Sequence, residues 1–197
     1  EPVLTALNIL NTKYRNFAWE GKSQDGYADA IEGALNLYVR EPVPPAREWI
    51  ESEIKVMWNI QKPSGIIEGW HGDGNFARTT IMYCLWKTGG AYLIPWNKDL
   101  QFGGIWQDNR LYLTITSAGA WKGMLMTDKK RHDEYMHLPL DWPRINQFPE
   151  YFTAENGKNY TITSNISNKV QLISGEELWE GLPLKLKSGQ TVKLLIQ

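Results

Sequence analysis

The chain has 197 residues, with 21 lysines and arginines against 22 aspartates and glutamates and a net charge of −1. The two signs of charge are spread evenly along the chain, which argues against a surface that tracks a nucleic-acid backbone. No stretch approaches the roughly 20 consecutive apolar residues that a membrane-spanning helix needs. A chain of this length forms one medium domain or two small ones.

The first half of the chain has the apolar periodicity of helices. Helical spacing of apolar residues covers four segments: residues 3–18, 25–39, 46–61 and 77–88. Asp25 is placed to cap the second helix, Glu41–Pro45 forces an extended backbone after it, and Gly89 with Gly90 ends the fourth. These features predict two helical hairpins joined by a loop. The single cysteine, Cys84, is on the apolar stripe of the fourth helix, where a buried thiol is expected.

After Pro95 the apolar period changes to two, as in strands. Five short alternating or β-branched segments predict strands: residues 110–116, 123–127, 159–163, 169–173 and 190–196. Turn residues at Asp108–Asn109 and Glu155–Gly157 separate some of these strands. The sequence therefore predicts an α+β protein, with a helical hairpin region over residues 1–94 and an antiparallel β-sandwich over residues 95–197.

The densest polar cluster precedes the fourth helix, from Glu68 to Thr79. Its glycines permit a close approach of the backbone, so Glu68, His71 and Asp73 can converge on one ligand beside the Trp70 ring. With Arg78 one turn inside the helix, the cluster holds an acid, a base, a cation and a stacking ring, the groups that chemistry at a glycosidic bond requires.

A structural interpretation of this cluster stays open. Asp73 or Asn75 can cap the helix, His71 can hydrogen-bond a carbonyl, and Glu68 can pair with Arg78. A phosphate-binding loop is excluded because no lysine follows the glycines and no strand precedes them. No metal site is expected, since His71 and Asp73 have no third ligand at a recognised spacing, and no cofactor is implied.

Two further segments are rich in charged and aromatic residues. The segment from Ala18 to Asp29 runs into the second helix, with Glu32 one turn beyond Asp29 on the same face. If these carboxylates point inward, the pKa of one is raised and it can act as an acid; if they point outward, they form a solvated face. The segment from Arg131 to Phe152 mixes aromatic, proline and charged residues, and we interpret it as an interdomain clamp.

Ten tryptophans give the chain many large flat rings, which suit wide cores and also suit stacking on the C–H faces of sugars. The motif Asp25–Gly33 and the loop Trp70–Arg78, set among helical hairpins and followed by strands, resemble the (α/α)-toroid carbohydrate enzymes. These six-hairpin glycosidase-like proteins include glycoside hydrolases and polysaccharide lyases, with sugar-binding residues at hairpin loops and a β-sandwich against the toroid. The chain has room for about two of the six hairpins. The resemblance therefore implies either a partial toroid from the C-terminal part of a longer enzyme or a small helical unit with a β-sandwich that only looks similar.

The resemblance implies cleavage of a glycosidic bond in a secreted or periplasmic protein that binds an oligosaccharide or polysaccharide, and also the missing N-terminal part of its own chain. Asp73 or Glu68 would act as the general acid or base, and His71 would assist. The residues expected to bind substrate are Trp19, Tyr27, Asp29, Trp70, Asn75 and Arg78. Two alternatives are a noncatalytic carbohydrate-binding module and a structural fragment whose polar loops are caps and salt bridges.

Overall fold

A computed structural model describes residues 1–19, 24–67, 74–139, 150–151 and 154–197. The predicted α+β class is confirmed, because the chain combines helices with two antiparallel sheets. The chain divides into two compact units, Glu1–Tyr83 and Cys84–Gln197, here called the helical unit and the sheet unit. This division falls inside the fourth helix, whereas the sequence predicts a boundary between residues 94 and 95.

Four helices occupy the first part of the described chain: α1 (Pro2–Lys13), α2 (Gln24–Arg40), α3 (Pro44–Trp58) and α4 (Asn75–Thr88). The break between α2 and α3 is as predicted, since Val43 is extended and prolines stand at the first two positions of α3, where a missing N–H costs nothing. The largest fully buried side chains of the helical unit come from α2 and α3: Ile31, Leu35, Trp49, Ile50, Ile54 and Met57.

Helix α4 buries a different face from the one that its apolar spacing predicts. Thr79, Met82 and Tyr83 are buried, whereas Ile81 is 60% exposed. The Thr79 hydroxyl donates to the carbonyl of Ala28 over 3.1 Å, so a hydrogen bond to α2 orients the helix. The prediction of a buried Cys84 thiol is wrong, because Cys84 is exposed on the other face.

The sheet unit contains eight strands in its described part. They are β1 (Tyr92–Ile94), β2 (Leu100–Gln107), β3 (Arg110–Ser117), β4 (Trp121–Met126), β5 (Asn159–Ser164), β6 (Ser167–Ser174), β7 (Leu182–Leu186) and β8 (Thr191–Ile196). One antiparallel sheet has the order β2-β3-β8-β5-β6 and the other has the order β1-β4-β7. A single buried cluster draws side chains from both sheets, including Leu93, Leu113, Leu125 and Leu186.

The five predicted strands are present, and the turn at Asp108–Asn109 is confirmed. Both residues have positive φ, 51° and 57°, as a two-residue hairpin turn between β2 and β3 requires. A π-helical turn covers Arg131–Tyr135, and the short helix α5 (Gly175–Glu180) begins with a capping box at Ser174. Within the described ranges, no helix is long and apolar enough to cross a bilayer.

Strands β1, β2 and β7 are not predicted by the sequence pattern, and β2 and β7 show why. Strand β2 contains Gly103 and Gly104, which weaken a strand pattern. A Cβ at Gly104 would lie 2.8 Å from Leu113 Cδ2 and 3.0 Å from the Lys87 carbonyl oxygen, so a larger residue there would have to displace its neighbours. Strand β7 contains Pro183, which is tolerated because β7 is at the edge of its sheet.

Candidate functional site

The predicted catalytic residues Glu68, His71 and Asp73, together with Trp70, lie outside the described residues. Their assignment therefore stays a prediction. The structure does place the rest of the predicted site, all of it in the helical unit: Trp19, Tyr27, Asp29, Asn75 and Arg78.

A row of polar contacts joins the N-terminal half of α2 to the first turn of α4; its members are Asp25, Asp29, Glu32, Asn75 and Arg78, and we call it the polar seam. The Asn75 side-chain amide donates to Asp25 Oδ1 over 2.6 Å. The Arg78 guanidinium lies 2.5 Å from Glu32 Oε2 and 3.9 Å from Asp29 Oδ1. Residues from two clusters that are far apart in sequence are thus brought together.

The polar seam is open to solvent at one end and covered at the other. The side chains of Asp29 and Arg78 are 60% and 52% exposed, whereas that of Glu32 is 20% exposed. Of the two orientations that the sequence leaves open, Asp29 adopts the outward one and Glu32 is mostly covered. The seam contains three carboxylates, of which Asp29 and Glu32 face its one guanidinium while Asp25 accepts from Asn75. It therefore has a net negative charge and offers many hydrogen-bond acceptors.

Tyr27 and Trp19, the two described aromatic residues of the predicted site, pack against neighbouring residues. Tyr27 is 7% exposed, and its hydroxyl donates to the Phe17 carbonyl over 3.2 Å. Burial raises the pKa of this hydroxyl, and the nearby Glu53 carboxylate raises it further. The placement of Tyr27 favours a packing role over sugar stacking. The Trp19 ring makes edge contacts with Phe17 and Trp49, at centroid distances of 5.1 and 5.9 Å.

Glu53 is a candidate that the sequence interpretation missed. It is fully buried on α3, where Ser52 Oγ donates to its Oε1 over 3.2 Å. No hydrogen-bond partner for Oε2 is found among the described residues. Burial raises the pKa of this carboxyl, opposed by the Ser52 hydrogen bond and by the charge of Arg15. The available signal was a glutamate on the apolar face of α3, one turn after Trp49.

The sheet unit contains a separate histidine–carboxylate pair. Glu150 Oε2 lies 2.6 Å from His132 Nδ1, while Oε1 accepts the backbone N–H of the same histidine. The Glu150 side chain is 4% exposed and that of His132 is 18% exposed. A carboxylate held in this way orients the imidazole with Nδ1 toward the acid and Nε2 away from it. These contacts hold residue 150 against the π-helical turn within the sheet unit. The interdomain clamp predicted for this segment stays a prediction.

The polar seam can supply hydrogen-bond acceptors and a guanidinium to a polar ligand. Among the residues described, no three His, Cys, Asp or Glu side chains are arranged to hold a metal ion. Comparison of the chain with models of known families, with curated proteins and with solved structures finds no match.

Proposed function

We propose that this chain is a carbohydrate-active protein that acts on glycosidic bonds, with its saccharide site where α2 and α4 begin. The observation that supports the proposal is the polar seam. It joins the motif Asp25–Gly33 to the start of α4, the two segments on which the resemblance to (α/α)-toroid enzymes depends. In this proposal the helices are a partial toroid and the strands form the accompanying β-sandwich.

The polar seam suits a ligand covered with hydroxyl groups. Each hydroxyl both donates and accepts, so carboxylates and a guanidinium at fixed positions can engage several of them at once. Asp29 and Arg78 are accessible for this purpose, and Asn75 is two residues beyond Asp73. Glu68, His71 and Asp73 would then supply the general acid and base beside the bound sugar.

A noncatalytic saccharide-binding module is the second candidate. It needs only the groups of the polar seam, which the structure describes, and none of Glu68, His71 and Asp73. Either candidate would act in a secreted or periplasmic setting, where polysaccharides are encountered.

The proposal is tested with a panel of oligosaccharides and polysaccharides, using calorimetric titration for binding, a reducing-end assay for cleavage, and ultraviolet absorbance for unsaturated products of elimination. Asp73→Asn and His71→Ala are expected to abolish cleavage while leaving the circular dichroism spectrum unchanged. Arg78→Gln is expected to weaken binding, whereas Arg47→Gln, at an exposed site on α3, serves as the control. Binding without cleavage would select the second candidate, and failure to bind any saccharide would overturn both.

A further inference from the structure

One face of the five-stranded sheet, here called the outer face, is open to solvent. Buried and outward side chains alternate along β3, and the outward set includes Arg110, Tyr112 and Thr114. The strand register places Ile105 of β2 and Leu195 of β8 opposite Tyr112, on the same side of the sheet. Tyr112 and Ile105 are 39% and 40% exposed. An accessible aromatic ring therefore lies in a partly apolar row that crosses three strands.

The charge of the outer face has one sign. None of the five strands of this sheet contains an aspartate or a glutamate. Lys193 lies opposite Thr114, and Arg110 precedes Tyr112 by two residues, so the two cations lie on either side of the tyrosine. Both are exposed, and neither has a carboxylate partner among the described residues. The outer face therefore offers two unneutralised positive charges to an anionic ligand.

Two adjacent glycines on β2 differ in what requires them. Gly104 is on the inner side, where a Cβ would lie 2.8 Å from Leu113 Cδ2. Gly103 is on the outer face opposite Thr114, and a Cβ there would meet no atom within 4 Å. Its φ is not positive, and a glycine inside a strand weakens that strand. Neither packing nor backbone conformation requires Gly103, and its effect is a gap near Tyr112, as is found where a ligand approaches the backbone.

We propose that the outer face binds an acidic polysaccharide, a chain of sugar rings that carry carboxylates. One ring stacks on Tyr112 and reaches over the gap at Gly103, and carboxylates on either side pair with Arg110 and Lys193. The four residues from Arg110 to Thr114 and one strand spacing put the Cα atoms of the two cations roughly 14 Å apart. That separation suits a polymer with regularly spaced charges rather than one small anion.

The uncharged side chains of the outer face favour a saccharide over other anionic partners. Thr114, Thr116 and Thr191 supply hydroxyls that can donate to and accept from sugar hydroxyls. A lipid bilayer would remove water from these groups without replacing its hydrogen bonds. A nucleic acid depends on many phosphate contacts, and two cations supply few. That the acidic polymer is a saccharide rests on the proposed function, whereas the site itself is separate from the polar seam.

The test is calorimetric titration of the whole chain with oligomers of galacturonate, of mannuronate and of hyaluronan. At least one is expected to bind saturably below about 1 mM. Its carboxyl methyl ester has the same rings without the charge and should bind at least about tenfold more weakly, and binding of the acid should weaken as ionic strength rises. No saturable binding of any of the three up to about 5 mM would overturn the proposal. Equal binding of the acid and its ester would do the same, as would tighter binding of oligothymidylate, a nucleic-acid probe.

Charge-matched variants locate the site. Arg110→Gln combined with Lys193→Gln should reduce binding of the acidic oligomer to that of its methyl ester. Lys122→Gln combined with Lys185→Gln removes two exposed cations that are cross-strand neighbours in the other sheet, and it is expected to leave binding unchanged. Equal losses in the two double variants would show a general effect of charge and refute the proposal.

Further variants separate this inference from the proposed function. Tyr112→Leu removes the aromatic face and Gly103→Leu fills the gap, so each should weaken binding about tenfold, with thermal unfolding showing that both are folded. Arg78→Gln, in the polar seam, should leave binding of the acidic oligomer to the outer face unchanged. Loss with Arg78→Gln alone would support the saccharide site of the proposed function and overturn this one. Binding that depends on Tyr112, in the absence of any cleavage, would support this site while the proposed cleavage fails.

Discussion

The helical unit and the sheet unit satisfy their buried polar groups to different extents. In the sheet unit the indole nitrogens of Trp121 and Trp179 donate to backbone carbonyls, over 2.9 and 3.2 Å. In the helical unit the Trp19 donor, Asn36 Oδ1 and Glu53 Oε2 have no partner among the described residues, and in the sheet unit Ser117 Oγ has none. Native proteins leave few buried polar atoms unpaired. Most of the unpaired atoms are on or beside α2 and α3, so the buried polar groups of the helical unit are satisfied less completely.

Apolar burial differs between strand β3 and helix α1, whereas α3 is buried as fully as β3. On β3 the inward residues Leu111, Leu113 and Ile115 are at most 1% exposed. On α1 only Leu7 is buried, whereas Leu4 and Ile9 are 43% and 45% exposed. The comparison teaches that β3 is a centre of packing, while α1 contributes little to the core of the helical unit.

The largest expected effect tests this contrast in packing. Leu113→Ala should lower the free energy of unfolding by about 3 kcal/mol, since it removes a buried side chain and leaves a cavity. Leu4→Ala on α1 should change it by less than about 0.5 kcal/mol. Urea unfolding followed by circular dichroism measures both, and equal losses would contradict the contrast.

The next effect concerns Glu150, a buried carboxylate of the sheet unit with both oxygens hydrogen-bonded. Glu150→Gln should lower the free energy of unfolding by about 2 kcal/mol, because it weakens two hydrogen bonds to a buried charged group. Asp133→Asn, an exposed acid in the same π-helical turn, is the control and should be nearly neutral. If the two variants unfold at the same urea concentration, the His132–Glu150 pair contributes nothing to stability.

Replacing Glu53, the buried acid of the helical unit, should raise the free energy of unfolding at pH 7, which is the opposite of the effect expected for Glu150. The folded-state pKa of Glu53 is raised above its ordinary 4.5, so the folded protein binds more protons than the unfolded chain just above that pH. Stability from this group is present below pH 4.5 and is lost as the pH rises toward the folded pKa. Glu53→Gln should therefore be more stable than wild type at pH 7, by about 1 kcal/mol. Denaturation from pH 4 to 8 measures the difference, and a constant or negative difference would refute the prediction.

The smallest expected effect is at Glu155, where stability depends on pH in the reverse sense to that expected for Glu53. Hydrogen bonds from Lys130 and Lys158 lower the pKa of Glu155 in the sheet unit. This group stabilises the fold above pH 4.5, and the contribution is lost as the pH falls through the folded pKa. Glu155→Gln should cost less than about 1 kcal/mol at pH 7 and nothing in strong acid. A cost that persists at pH 2 would show that packing, rather than charge, is responsible.

Part of the candidate site could be predicted from residue types alone. Asn75, Arg78 and Asp29 were identified by their place beside glycine-rich or aromatic segments, and the structure brings them together in the polar seam. Glu53 could not be identified, because a single glutamate in a helix forms no recognisable motif with other residues of the sequence. Its significance depends on what packs against it.

The sequence by itself determined the class of the protein, the break between α2 and α3, and the hairpin turn at Asp108–Asn109. Each of these depends on backbone preferences within a few residues: proline without an N–H, residues that tolerate positive φ, and apolar periods of 3.6 or two. Only the tertiary structure decided the buried face of α4, strand β7 with its proline, and the pairing of Arg78 with α2. These depend on contacts between residues far apart in the chain, where hydrogen bonding and available space outweigh local pattern.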